Sequence, residues 1–164
     1  MQSANFPQLM VHVARERSMA KVLDAIVDGV ARCRDVVLAR IWLVDKGDVC
    51  ASCRFRPECP DQTRCLHLVA SAGNSSEPAE THGRLDGAFR RFPLGVRKIG
   101  RVGATGEPLL VSGLSGDEPW VAEPAWIRRE GVRSFAAQPL VFRGEGLGVF
   151  AIFDRGVLAE TDFA

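Results

Sequence analysis

The chain has no tyrosine, and aromatic residues make up only 7% of its 164 positions. It has no apolar run near the roughly 20 residues that a membrane-spanning helix requires, so no membrane role is expected of this segment. An excess of one charge is also missing, since 21 Lys and Arg face 20 Asp and Glu for a net charge of +1. Such a balance gives no global pull toward nucleic acid or acidic surfaces. The start of the chain, Met1 to Val13, lacks a basic stretch followed by a continuous apolar one. No secretory signal is read there, and a reducing, cytoplasmic setting is expected.

Cysteine is the residue present in an unusual pattern. Four of the five cysteines fall in the run Cys50-x2-Cys53-x5-Cys59-x5-Cys65. In a reducing setting, clustered thiols read as a metal site before redox disulfides. Four thiolates complete a tetrahedral shell, the pattern of structural zinc, and they also suit an iron–sulfur cluster. Arg54, Arg56 and Arg64 are interleaved with them and would offset the negative charge of the thiolates. His67 is expected beside the site and not as a ligand. A metal held here either orders residues 46–65 or acts as a redox or gas sensor.

The rest of the chain reads as one domain over 1–164, with 46–65 as an insertion between its first two strands. Met19, Val22, Leu23, Ile26, Val30 and Cys33 recur at helical spacing behind Ser18, a candidate cap, and Cys33 reads as core. Val36 to Val44 and Leu66 to Ala72 read as strands, and the polar stretch from Gly73 to Gly83 as a surface loop. Phe92 to Gly95 reads as a short edge, Ile99 to Gly106 as a short helix closed by its glycine, and Pro108 to Ser112 as a strand. A helical stretch is expected from Asp117 to Gly131, carrying Trp120 and Trp126. Ser134 to Phe142 and Leu147 to Asp154 complete the chain as a hairpin around Arg143-Gly144-Glu145-Gly146. The order predicts an α+β domain, a central antiparallel sheet with helices on both faces.

Three phrases in this order resemble the GAF domain, a small-molecule-sensing relative of the PAS fold. They are Ala39-Arg40-Ile41-Trp42-Leu43, then Ile99 to Val111, then Ser134 to Leu140 continuing through Gly146-Leu147-Gly148-Val149-Phe150. The resemblance implies a pocket on one sheet face and a final helix that this chain is expected to lack. It implies a sensor joined to an output domain, as in sigma-54-dependent transcriptional activators and sensor histidine kinases. An unidentified small-molecule effector is the expected ligand. Ile99, Val111, Trp120, Trp126, Phe135 and Gln138 are the expected lining.

Departures from the family narrow the reading. The Asn-Lys…Phe…Asp-Glu signature of the cyclic-nucleotide branch is absent, as is any cysteine after Cys65 for a bilin. The free methionine sulfoxide reductase branch places thiols around the Gly-rich phrase, where this chain reads Val102-Gly103-Ala104-Thr105. No Ser-His-Asp or paired-carboxylate set accompanies the pocket phrases. The expectation is a non-catalytic sensor, with a thiol-dependent reductase as the disfavoured rival. The basic stretch of Arg84, Arg90, Arg91, Arg97, Lys98 and Arg101 reads as solvated surface, not a nucleic-acid interface. The stripe of Met19, Leu23, Ile26 and Val30 suggests a homodimer contact.

Overall fold

β-branched and aromatic side chains fill the run from Val36. In the computed structural model, which describes residues 6–33, 35–74 and 82–162, this run forms the central strand β1 (Val36–Lys46). Two helices precede it, α1 (Phe6–Arg15) and α2 (Met19–Ala31). After the cysteine segment come β2 (Arg64–Gly73), β3 (Arg91–Pro93), α3 (Arg97–Thr105) and β4 (Leu109–Ser112). The chain then runs through α4 (Pro124–Glu130), β5 (Ser134–Phe142) and β6 (Glu145–Asp154). The strands form one six-stranded sheet in the order β3-β2-β1-β6-β5-β4, and every neighbouring pair is antiparallel. The class is α+β, as expected. Among the described residues no helix is long and apolar enough to cross a membrane.

Each face of the sheet carries its own core. On one side α2 buries Val27 against Val36, Ala39, Ile41 and Ala70. On the other, Trp42, Leu66, Leu68, Phe135, Ala137 and Val149 pack beneath α3 and α4, which contribute Ile99, Val102 and Ile127. Period-two alternation along β1 therefore divides its side chains between the two cores. Gly106 (φ 68°) and Gly131 (φ 66°) end α3 and α4 in the left-handed conformation. The β5–β6 turn places both Arg143 and Gly144 at positive φ, the geometry that matches strand twist in a two-residue hairpin.

Local details depart from the sequence reading. The fourth helix begins at Pro124, not Asp117. The Glu118 carboxylate accepts hydrogen bonds from the amides of Ser115 (2.9 Å) and Gly116 (3.0 Å), a local turn that competes with helix. Pro124 then supplies a first-turn residue with no amide to satisfy. Ser18 sits at the cap position of α2 without a side-chain capping bond, and Cys33 lies beyond the helix end, half-buried against the α2-side core. Met19 is 70% exposed, while Leu23, Ile26 and Val30 are partly buried against the α2-side core. Most of the polar stretch from Gly73 to Gly83 lies outside the described residues.

Gly148 marks where the central ladder leaves no room. A Cβ there would stand 2.0 Å from the Trp42 carbonyl oxygen on the paired strand. Gly148→Ala is expected to destabilise the domain by about 1–3 kcal/mol or more, because paired backbone cannot retreat as a side chain can. Urea unfolding of the two proteins checks this.

Candidate functional site

Leu38, Arg40 and Trp42 share one face of β1 and form the floor of a cavity of about 460 Å³ between the sheet and the α3–α4 layer. Its volume lies in the ordinary range for small-molecule sites. Phe135 and Phe153 extend the floor across β5 and β6, with rings 5.0 Å apart, and Trp126 meets Phe153 edge-on at 5.2 Å. Phe55, Phe89 and Phe92 make a side wall; Phe55 stacks on Phe92 at 4.9 Å, and Trp42 meets Phe92 edge-on at 5.8 Å. The indole N–H of Trp42 donates to the Phe89 carbonyl at 3.0 Å, which fixes that wall to the central strand.

Charge enters the cavity from its basic residues. Arg40 is half-buried, and its Nε donates to the Ser71 hydroxyl at 3.0 Å directly across the β1–β2 ladder. Burial lowers its pKa to about 10, still far above neutrality. The Lys98 ammonium lies 3.9 Å from the centre of the Trp120 ring, and burial with neighbouring Arg101 lowers its pKa. Arg97 pairs with Glu58 at 2.7 Å.

Of the six residues expected to line the pocket, Ile99, Trp120, Trp126 and Phe135 do so. Gln138 does not. Its cross-strand partner Phe150 belongs to the α2-side core, so Gln138 points away from the cavity, as parity from Phe135 requires. Val111 pairs with Phe135 and packs into the same core, outside the lining. Sequence reasoning missed Arg40, Phe55 and Lys98. A charged residue midway along an otherwise apolar strand was the available signal for Arg40, because β1 is hydrogen-bonded on both edges.

The cysteine segment hangs from the ends of β1 and β2. Cys50, Cys53, Cys59 and Cys65 all line a second cavity of about 20 Å³, with Gly47, Arg56, Arg64 and Arg91 around them. The Cys50 thiol donates to the Gln62 carbonyl at 3.4 Å. Burial pushes the Cys65 thiol up to about 11. Among the described residues, the one set of three candidate donor atoms within 4.8 Å of one another is that of Asp48, Cys65 and His67, so no three of the four thiols converge to that distance. Asp48 in that trio is held by the Arg91 guanidinium at 2.8 and 2.6 Å, which keeps its carboxyl well below the usual carboxylate range, and His67 Nε2 lies 2.8 Å from the Lys46 carbonyl. Between the cysteines, Phe55 is only 3% exposed, so the segment inserts one aromatic side chain into the wall of the large cavity.

A curled antiparallel sheet with a cavity under a short-helix layer defines the class of α+β domain to which this chain belongs. The GAF domain family matches residues 18–163, and the chain belongs to that family. A comparison with curated proteins finds no match. Among solved structures, the A. aeolicus NLH2 GAF domain in an inactive state is similar at 16% identity and a TM-score of 0.64, covering 94% of this chain and 80% of that one. A GAF domain of a phosphoenolpyruvate-protein phosphotransferase from Coxiella burnetii follows at 18% and 0.63, covering 95% and 80%. The free methionine-R-sulfoxide reductase of Neisseria meningitidis, in complex with its substrate, aligns at 20% and 0.61, covering 95% and 75%. This last likeness corrects the expectation that the chain is not an enzyme, because the shared fold also carries reductases and gives no ground for that exclusion.

Two of the lining residues differ sharply in burial. Phe135 is 3% exposed and Trp120 is 37% exposed. Phe135→Ala is expected to cost about 3–5 kcal/mol of stability, whereas Trp120→Ala, which removes a half-covered ring at the rim, is expected to cost less than about 1 kcal/mol. Thermal unfolding of both variants provides the measurement.

Proposed function

We propose that this GAF domain is a sensory module of a longer regulatory protein. Its large cavity binds a small-molecule effector, and its cysteine segment carries a zinc ion that braces the cavity wall. The observation that carries the effector reading is the 460 Å³ aromatic cavity, whose floor is built on the central strand and whose rim carries an exposed tryptophan. GAF domains generally bind small molecules and sit in longer proteins, which fits this reading. Binding of such an effector is expected to raise the melting temperature in a screen of small metabolites. Trp126→Ala is expected to abolish the shift, and a screen without any shift counts against the reading. A parallel assay for reduction of free methionine sulfoxide separates it from the activity named for the neisserial neighbour.

Three features support the metal. The four thiols line one small cavity, three of them lie in the connection between two paired strands with Cys65 at the start of the second, and arginines ring them. Ligand type favours zinc, because four thiolates complete its closed tetrahedral shell and the cysteine run is looser than the usual ferredoxin spacing. Closing four sulfurs on an ion would require Cys50 to release Gln62. Zinc there would order residues 46–65 and so hold Phe55 against Phe92. Replacing Cys50, Cys53, Cys59 or Cys65 with Ser is expected to lower zinc content, while Cys33→Ser leaves it unchanged. Elemental analysis of the five variants decides this, and full zinc retention in Cys59→Ser would overturn the assignment.

A further inference from the structure

The sensory reading leaves the ligand's chemistry open, and the step taken here rests on that reading. The cavity lining carries Arg40, Arg97, Lys98 and Arg129, while Glu123 is its one carboxylate among the described residues. This concentrates positive charge in a chain whose net charge is only +1. Most of these groups are already engaged. Glu123 accepts from Arg54 at 3.2 Å, Arg97 is paired with Glu58, and Arg129 lies 3.5 Å from Glu130. Lys98 rests on the Trp120 ring.

Arg40 is different. Its one hydrogen bond among the described residues runs from Nε to Ser71, whose own hydroxyl hydrogen is given to the His82 carbonyl. Both Nη nitrogens are therefore left to the cavity, with no carboxylate of a described residue in reach. A half-buried guanidinium carries a desolvation cost that an anion held in good geometry offsets. Its planar fork matches a carboxylate in bidentate fashion. Trp42, two residues along the same strand face, and Trp126 with Phe153 supply flat apolar walls around it.

We infer that the cavity is a receptor for an aromatic carboxylic acid, with its carboxylate on the Nη groups of Arg40 and its ring between the tryptophan and phenylalanine walls. The planar fork of Arg40 between aromatic walls fits a carboxylate, and a phosphate ester is the rival that the second lining cation, Lys98, would favour. Ser71 acts as a positioning residue, holding Nε so that the fork faces inward.

The test is calorimetric titration with matched probes: benzoate against benzamide, 2-naphthoate against 2-naphthamide, and phenyl phosphate. In the unaltered protein each acid is expected to bind about 10- to 100-fold more tightly than its amide, the worth of a hydrogen-bonded charge. Arg40→Gln is expected to erase that advantage, and Arg40→Lys to keep part of it. The acid–amide comparison needs no variant, so a failure of Arg40→Gln to fold does not blunt it. Equal binding of acid and amide, or an acid advantage that survives Arg40→Gln, overturns the carboxylate assignment while the cavity reading stands. Tighter binding of phenyl phosphate than of benzoate overturns the carboxylate class. Binding of none of the five probes overturns this assignment, whereas a melting-temperature shift with an unrelated metabolite would still uphold the sensory reading.

Discussion

The constraint on which the rest of this domain depends is that β1 is paired along both edges. Its amides and carbonyls are consumed by β2 on one side and β6 on the other, so the strand can neither shift nor twist independently. Every second side chain is then committed to one core. Ala39 and Ile41 go to α2, while Leu38, Arg40 and Trp42 go to the cavity. The close approach of Gly148 to the Trp42 carbonyl is part of the same arrangement, since a bulkier residue would prise the two strands apart. A one-residue slip would bury a guanidinium beneath α2 and turn Ile41 into the cavity.

Much of this was legible in the sequence because periodicity and turn chemistry agree. The apolar runs became the strands, and Gly106 and Gly131 ended helices where their tolerance of positive φ predicted. The start of α4 was not legible. It depends on Glu118 folding back on Ser115 and Gly116, a choice between two local bonding patterns that propensity does not settle. Arg40 was hidden for a different reason. Its neighbours read as a buried strand, but whether position 40 faced helix or cavity depended on a register that only the assembled sheet sets. The same parity misplaced Gln138, which shares a strand with Phe135 but not a face.

The two cavities differ in kind. The larger is floored by side chains standing on the sheet, so its shape follows from the fold itself. The smaller is enclosed by a connection with few apolar side chains of its own, and Phe55 is the one that reaches the core. That single aromatic contact makes the cysteine segment a part of the larger cavity's wall, since Phe55 stacks on Phe92, which in turn meets Trp42. Ordering of the segment and integrity of the wall are therefore mechanically joined.

The missing tyrosine has an optical consequence. With none in the chain, near-ultraviolet emission comes from three indoles, Trp42, Trp120 and Trp126, and all three border the larger cavity. One is buried on the central strand, one is half-buried on the last helix, and one stands at the rim under an ammonium group. The intrinsic spectrum of this domain is thus a report on a single chamber, undiluted by fluorophores elsewhere in the fold.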